Sequence, residues 1–475
     1  KKTAKNVILF IGDGMGISTI TASRIFEGQT KVGNRGGEEN SLSFEQFPHV
    51  ALSKTYQVNQ QTPDSAPTMS SMMTGVKTND GELSVNASVA KDEPDATVIE
   101  ANKTVTLLEQ AELKGMSTGI VTTARLTHAT PAACYAHTSE RNWESDADIT
   151  KTGATVKDIA SQLVNFNIGN GLEVALGGGR SYFMPNTMTD PEDTAKKGLR
   201  KDGIDLTAQW TGKYKNAAFV YDRAGWDKID VKNTDHLLGL FESTNHMEYE
   251  ADRLKDTGGE PSLTEMTEKA IQILSKNKKG YFLMVEGGRI DHAHHAGNAY
   301  RALTETVELS NAVKKAVEMT DSAANDTLII VTADHSHTFT IGGYPQRGNP
   351  ILGLVTSPGK TTPDLATDGK PYATLSYANG GGYRATRPTL TASTSIPATS
   401  SAPAAADLSI LDTMHPNFIQ EATVPLGYGA ETHAAEDVAI FAKGPRAYLF
   451  HGIQEQSYIY QVMAKALGIT PTVYK

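Results

Sequence analysis

The chain has a single cysteine, Cys134, among its 475 residues, so no disulfide bond can form within it. Cysteine usage therefore leaves the redox compartment open. No apolar run approaches the ~18 residues that a membrane-spanning helix needs. The longest run near the start, Val7 to Ile11, is long enough only for a strand. The sequence thus predicts neither a disulfide-stapled scaffold nor a transmembrane segment.

An excess of positive charge is also missing. Lysine and arginine number 44 against 54 aspartates and glutamates, which gives a net charge of −10. This balance argues against a protein built to bind nucleic acid or an anionic membrane surface. It does not exclude an anionic substrate, because bound metal ions can invert the local field. The chain begins Lys-Lys-Thr without methionine, which we interpret as a mature periplasmic or secreted product after signal-peptide removal. A cloning boundary would look the same.

Short apolar runs rich in β-branched residues alternate with amphipathic stretches. Runs that are continuously apolar are typical of strands buried on both faces. The predicted strands are residues 6–11, 118–122, 173–176, 280–285, 327–331 and 438–441, and the clearest predicted helices are residues 262–275 and 299–319. The pattern predicts an α/β fold with a large central, mostly parallel sheet sandwiched by helices.

One region departs from this alternation. Residues 338–427 are rich in Gly, Pro, Ser, Thr and Ala and show little periodicity. We interpret them as a loop-rich inserted subdomain, although a tolerated surface insertion fits equally well. The catalytic α/β domain would then comprise residues 1–337 and 428–475.

Acidic residues and histidines stand where predicted strands end. Asp13, Glu286 and Asp334 each follow or close an apolar run, and His335 comes next. In open α/β sheets, ligands bind at the carboxyl ends of strands, so these side chains could share one crevice. A lone aspartate in such a place is more often a helix cap. The whole set is poorly explained by chance.

The densest segment lies between Glu286 and His295. If Asp291 begins a helix, His295 lies one turn later on the same face. Carboxylate and imidazole together suit zinc. Asp334 with His335 repeats this chemistry, and His433 could complete a site. The isolated histidines are predicted to be structural or solvent-exposed: His49, His236, His246, His415 and His451.

Ser65 is the candidate nucleophile. Pro67 suits a first helical turn and Gly75 a helix end, so Ser65 is predicted at a helix N-terminus, which favours an anion. A metal ion can deprotonate its hydroxyl without a histidine base. The alternative is that Asp64 or Ser65 is only a helix cap. Arg141 is the candidate phosphate clamp because a guanidinium offers a bidentate fork. A surface salt bridge is the simpler interpretation of Arg141 alone.

Several motifs together resemble the alkaline phosphatase family. They occur in the family's order and cover most of the chain outside residues 338–427. These are DGMG (13–16), DSA (64–66), THATP (127–131), Arg141, VEGGRIDH (285–292), ADHSH (333–337) and ETHA (431–434).

The resemblance implies roles for these residues. One zinc would be held by Asp291, His295 and His433, a second by Asp334, His335 and one oxygen of Asp13, and magnesium by the other Asp13 oxygen, Thr130 and Glu286. Arg141 would bind two phosphate oxygens, and His337 would orient a ligand carboxylate. The reaction would be hydrolysis of phosphate monoesters through a phosphoserine, with an alkaline optimum. A homodimer and secretion are also implied, and residues 338–427 could form a crown over the active site or dimer interface.

Two positions differ from the enterobacterial form of the family and match the animal form. His128 stands in place of an aspartate and His292 in place of a lysine, both near the expected phosphate site. The first exchange should weaken or alter the magnesium site. The second removes a fixed positive charge and should let phosphate leave more easily. Animal members also carry a calcium site, which Phe241 and Glu242 resemble in part, with Glu260 in place of an aspartate.

Three rival functions stay open. A phosphodiesterase or sulfatase of the same superfamily would share the two-zinc ligands, but the former usually has threonine as nucleophile. The latter needs an arginine two residues after the proline, where Met69 stands here. A metal-storage or scaffold protein would not need the nucleophile and clamp. A nucleic-acid-binding protein is disfavoured by the acidic charge balance.

Overall fold

The computed structural model describes residues 3–31, 36–383 and 412–471. The strands are β1 (Asn6–Gly12), β2 (His49–Ser53), β3 (Ser117–Arg125), β4 (Val174–Gly178), β5 (Ala217–Val220), β6 (His236–Leu240), β7 (Tyr281–Gly287), β8 (Thr327–Ala333), β9 (Ser336–His337), β10 (Phe339–Ile341), β11 (Leu375–Gly380), β12 (Ala422–Pro425), β13 (His433–Ala434), β14 (Val438–Lys443) and β15 (Ile453–Gln454).

Helices lie between most of these strands. They are α1 (Ile17–Thr30), α2 (Ser65–Thr74), α3 (Ala96–Asn102), α4 (Leu107–Leu113), α5 (Ala129–Tyr135), α6 (Ile159–Val164), α7 (Leu206–Lys213), α8 (Arg223–Asp227), α9 (Leu263–Leu274), α10 (Arg289–His295), α11 (Ala299–Thr320) and α12 (Tyr458–Leu467). The predicted helices at 262–275 and 299–319 correspond to α9 and α11. In the described residues, no helix combines the length and apolar character that crossing a membrane requires.

Ten strands form one sheet in the order β15-β2-β14-β8-β1-β7-β3-β4-β6-β5. The pairs from β8 to β5 are parallel, whereas β14 runs antiparallel to both β8 and β2. The predicted α/β fold with a mostly parallel central sheet is confirmed. The antiparallel direction of β14 was not predictable, because its apolar run alone carries no sign of orientation.

The sheet is buried on both faces, as continuous apolar strands require. In β1, the side chains of Val7, Leu9 and Ile11 pack in one apolar layer, and those of Ile8 and Phe10 pack in the other. Helices cover both layers. Such a sheet is a rigid base on which residues at strand ends are held in fixed positions.

The strands that carry the candidate ligands are neighbours at the centre of this sheet. Gly12, the last residue of β1, pairs with Gly287 of β7 and with Ala333 of β8. The residues that directly follow β1, β7 and β8 therefore lie side by side at the carboxyl end of the sheet. This register brings Asp13 and Asp334 together although 320 residues separate them.

Residues 338–427 contain more regular structure than predicted. Strands β10, β11 and β12 form a three-stranded sheet, and the buried side chains of Phe339, Leu375 and Tyr377 pack in one cluster with Ala22 and Leu303 of the helices α1 and α11. Sequence periodicity misses strands this short, because three to six residues barely show an alternation. Residues 384–411 of this region lie outside the described part.

Candidate active site

Ser65 is the first residue of α2, as predicted. The Asp64 carboxylate accepts a hydrogen bond from the Ser65 backbone N–H at 2.7 Å, and Gly75 ends the helix with φ 77°. Ser65 is buried, with an exposed fraction of 3%. Because free N–H groups point out of a helix N-terminus, an anion beside the Ser65 hydroxyl would be stabilised.

Two of the predicted ligands, Asp13 and His335, lie next to the Ser65 hydroxyl, and a third, Asp334, lies beside His335. Its Oγ lies 3.2 Å from Nε2 of His335 and 3.4 Å from each carboxylate oxygen of Asp13. The same His335 nitrogen lies 3.3 Å from Asp13 Oδ1 and 3.2 Å from Asp334 Oδ2. Burial lowers the pKa of His335 to about 3, so its ring is neutral, as a metal ligand must be.

The second predicted group of ligands converges beside the first. His295 and His433 place their Nε2 atoms 3.0 Å apart, and these lie 3.3 and 3.1 Å from Oδ1 of Asp291. Helix α10 supplies Asp291 and His295 one turn apart, as predicted. The antiparallel pairing of His433 with His337 brings the distant histidine into place.

His337 connects this group to a carboxylate that the sequence interpretation did not single out. Its Nε2 lies 2.6 Å from Asp291 Oδ1, and its Nδ1 lies 2.7 Å from Oε1 of Glu431. Burial opposes protonation, but Glu431 and Asp291 outweigh it and raise the pKa of His337 to about 10. The protonated ring donates to both carboxylates, which suits the predicted orienting role. Glu431 is the first residue of the ETHA motif (431–434), which is the signal that could have found it.

A third group consists of oxygen atoms. Thr122 Oγ1 donates to Glu286 Oε2 at 2.5 Å, while Glu286 Oε1 and Thr130 Oγ1 are buried without a hydrogen-bond partner in the described part of the chain. Burial, followed by repulsion from Asp334 and Asp291, raises the pKa of Asp13 well above its usual range. Oxygen atoms left without donors among crowded carboxylates fit a hard divalent cation.

Arg141 contacts the N-terminal end of α2, where Ser65 lies. One guanidinium nitrogen forms an ion pair with Asp64, and Nη2 lies 3.0 Å from Nε2 of His128. Although Asp64 is buried, Arg141 and His433 keep its pKa below the usual range. The predicted clamp therefore lies next to the candidate nucleophile, with its orientation held by Asp64, the residue that caps α2.

His128 and His292 form a cluster with a third histidine. The rings of His246 and His292 are stacked with centroids 3.9 Å apart, and His128 meets both rings edge-on. Burial lowers the pKa of all three well below the usual histidine range, so the rings are neutral. The sequence interpretation treated His246 as structural or exposed, because it stands alone in the loop after β6.

A separate acidic group comes from the same connection after β6, with residues on both sides of His246 in sequence. Glu242, Asp256 and Glu260 each place a carboxylate oxygen within 4.8 Å of the others. Asp256 Oδ2 and Glu260 Oε2 are buried without hydrogen-bond partners among the residues that the structure describes. Burial and the nearby Glu242 raise the pKa of Glu260 to about 10. The sequence interpretation identified Glu242 and Glu260 but not Asp256, which lies in an irregular loop.

Comparison with known proteins agrees with the family that the sequence motifs resemble. A family model described as alkaline phosphatase matches residues 4–469. The human tissue-nonspecific isozyme of alkaline phosphatase is 45% identical over 475 residues, covering 98% of this chain and 84% of the human protein. The chicken isozyme is 44% identical, with 99% and 86% covered.

Solved structures are similar to the whole chain. The alkaline phosphatase of the Antarctic bacterium TAB5 matches with a TM-score of 0.62 at 23% identity, covering 99% of both chains. That of Thermus thermophilus matches with a TM-score of 0.68 at 22% identity, covering 99% of this chain and 92% of the other. At these identities the structures support the fold alone.

Proposed function

Since the chain belongs to the alkaline phosphatase family and is a phosphatase hydrolase, we propose that it hydrolyses phosphate monoesters through a phosphoserine formed on Ser65. The observation that carries the proposal is the position of the Ser65 hydroxyl. It stands at a helix N-terminus, within 3.4 Å of Asp13 and within 3.2 Å of His335. In such surroundings the pKa of a serine hydroxyl can be lowered by bound cations, so that it gives its proton to solvent water and can attack phosphorus.

The donor sets fit the three cations that the family resemblance implies. Two sets combine carboxylate and imidazole, which suits zinc, and the third offers only oxygen atoms, which suits magnesium. We propose the assignments stated from the sequence: Asp291, His295 and His433; Asp334, His335 and Asp13; Asp13, Thr130 and Glu286. When bound, the cations would lower the pKa of nearby hydroxyls and stabilise negative charge on the departing oxygen.

The chain's own residues would then carry out two displacements. The Ser65 oxygen attacks phosphorus, the bond to the alcohol oxygen breaks, and the alcohol leaves after taking up a proton. Water next attacks the phosphoserine from the vacated side, the bond to Ser65 breaks, and phosphate leaves. Arg141 would bind two phosphate oxygens through both steps. Asp64 would keep the Arg141 guanidinium oriented.

The neutral rings of His128 and His292 would contact the phosphate or its water without a fixed positive charge. We propose that phosphate is therefore released more easily than from a site with lysine. Alkaline pH favours the deprotonated forms of serine and water. An alkaline optimum is accordingly part of the proposal.

The test uses Ser65→Ala, with Ser71→Ala as the matched control. Ser71 lies on the same helix, and its hydroxyl makes no hydrogen bond to any described residue. We expect Ser65→Ala to lose nearly all monoesterase turnover while elemental analysis finds the same metals, and Ser71→Ala to keep both. Near-normal turnover of Ser65→Ala would rule out the covalent step. Wild-type rates on a monoester, a diester and a sulfate ester, with and without chelator, separate the proposal from its rivals.

We also propose that Glu242, Asp256 and Glu260 hold a calcium ion. The support is the pair of buried carboxylate oxygens that lack partners among the described residues, together with the burial and the repulsion by Glu242 that raise the pKa of Glu260. Oxygen-only donors of this charge suit calcium. Elemental analysis of protein purified with calcium would test it.

Three further expectations stay proposals. A homodimer rests on the family resemblance and is tested by sedimentation. The division into a catalytic domain and an inserted crown at 338–427 is tested by limited proteolysis and deletion of that segment. Location in the periplasm or outside the cell is tested by fractionation of the producing cells.

A further inference from the structure

We propose that His246 is a positioning residue that holds the rings of His292 and His128 at the phosphate site, so that it strengthens phosphate binding without taking part in the chemistry. The proposal deepens the function proposed above and rests on it. It assigns a role to a histidine that no motif in the sequence marks.

Ring contacts are what orient His292. Its Nδ1 is buried and has no hydrogen-bond partner among the described residues, so no bond from that atom fixes the ring. Instead the ring lies flat against His246, with centroids 3.9 Å apart and planes 26° apart. His128 packs its edge against the same two rings, at 5.0 Å from His246 and 5.6 Å from His292. His246 is thus the common neighbour of both phosphate-site histidines.

His246 is itself firmly held. Its Nδ1 accepts a hydrogen bond from the Arg125 backbone N–H at 2.9 Å, and its Nε2 lies 3.3 Å from Arg125 Nη1. The Arg125 guanidinium donates to both oxygens of Glu144, at 2.9 and 3.0 Å. A ring that accepts a main-chain hydrogen bond and packs beside a guanidinium held by Glu144 is a rigid surface for the ring stacked on it.

The loop that carries His246 is anchored on both sides of it. The carbonyl of Asn245 accepts from the Gly179 N–H at 3.1 Å, and the Met247 N–H donates to the Thr123 carbonyl at 2.9 Å. The loop also packs closely on Gly178, where an added Cβ would lie 2.6 Å from the Asn245 carbonyl. The sheet therefore holds His246 in a fixed position, and the His246 ring in turn restricts the movement of the His292 ring.

The consequence is preorganisation. A ring already ordered in the free enzyme loses little conformational entropy when phosphate binds, whereas a ring released by the loss of His246 must be ordered at that moment. From the cost of immobilising one side chain, we expect His246→Ala to weaken phosphate binding about threefold to tenfold. Turnover should stay equal or rise, because weaker product binding does not slow release.

The experiment compares His246→Ala with His246→Phe. The phenylalanine keeps a flat ring for stacking but cannot accept the hydrogen bond from Arg125. His451→Ala, at an exposed histidine, is the control. For each variant the inhibition constant of inorganic phosphate, kcat and KM are measured separately at saturating zinc and magnesium. Titration calorimetry with inorganic phosphate gives the affinity independently of activity, and Tm and metal content report on structural damage.

Two results together support the proposal. His246→Ala should raise KM and the phosphate inhibition constant in parallel while kcat does not fall, and His246→Phe should restore most of the affinity. In a background with both His128→Ala and His292→Ala, the same alanine change should alter phosphate affinity by less than about twofold, because both rings that His246 positions are gone. An unchanged phosphate affinity, or an equal effect in both backgrounds, would overturn the proposal. If the wild type lacked monoesterase activity altogether, the proposed function would fail first.

Discussion

Replacing Glu173 with glutamine should stabilise the protein, and the gain should grow from about pH 6 to about pH 9. Glu112, near the end of α4, and Glu173, just before β4, are almost fully buried. They lie at the amino end of the sheet, opposite the candidate active site. Thr118 donates to both, from Oγ1 to Glu112 at 2.6 Å and from its N–H to Glu173 at 2.7 Å. No cation faces the pair in these contacts, so a proton must stabilise it.

The sign and size of this stability change follow from proton binding by the folded and unfolded states. Burial and the neighbouring Glu112 raise the pKa of Glu173 to about 9, and burial raises that of Glu112 to about 7. The folded state therefore keeps protons that the unfolded state releases above the ordinary glutamate pKa, and stability falls as the pH rises towards 9. Each retained proton changes the free energy of unfolding by about 1.4 kcal/mol per pH unit. Between pH 6 and 9, the stability gain of Glu173→Gln over the wild type can therefore grow by at most about 4 kcal/mol. Since water entry relaxes buried charges, we expect a difference on the order of 2 kcal/mol.

Glutamine keeps an oxygen for the Thr118 N–H and supplies a permanent donor to Glu112. Thermal unfolding of wild type and Glu173→Gln would be followed at several pH values with metals held constant. Glu100→Gln, at a side chain with an exposed fraction of 70%, is the control. If the stabilities of wild type and Glu173→Gln changed with pH in parallel, the buried pair of Glu112 and Glu173 would not be retaining a proton. Activity of Glu173→Gln should match the wild type, because the pair is remote from Ser65.

Three other changes test the metal sites. Thr130→Val should lower bound magnesium, measured by elemental analysis, because it removes one of the oxygen atoms left without a partner. Glu431→Gln should weaken zinc binding about 10- to 100-fold in chelator competition, because it disturbs the His337 that orients Asp291. Asp256→Asn should abolish the calcium-dependent rise in Tm, a stabilisation worth about 2.7 kcal/mol at a hundredfold excess over Kd. A rise equal to that of the wild type would contradict calcium binding there.

The strand-end acids show how far sequence reasoning reached. Continuous apolar runs before Asp13, Asp334 and within β7 predicted buried strands, and the rule for open sheets predicted a shared crevice. The parallel register then placed Asp13 and Asp334 together as expected. Ser65 was equally accessible, because Pro67 and Gly75 act locally on the chain. Local patterns of this kind survive folding because they express the backbone's own preferences.

Other features required the folded chain. The stacking of His246 on His292, the bridge from His337 to Glu431 and the ion pair of Arg141 join residues far apart in sequence. His246 lies in no periodic segment, so no pattern distinguishes it from the exposed His451. The antiparallel direction of β14 and the small sheet after β9 also depend on pairing partners rather than on composition.

By itself, the sequence determined the alternation of buried strands and helices, the helix that begins at Ser65, and the kinds of ligand available at the strand ends. These follow from burial and from short-range backbone chemistry. Only the tertiary structure decided the strand order, the distances among the ligands, and which histidines and carboxylates touch. Those depend on contacts between distant segments, whose free energy is gained only when the whole sheet has formed.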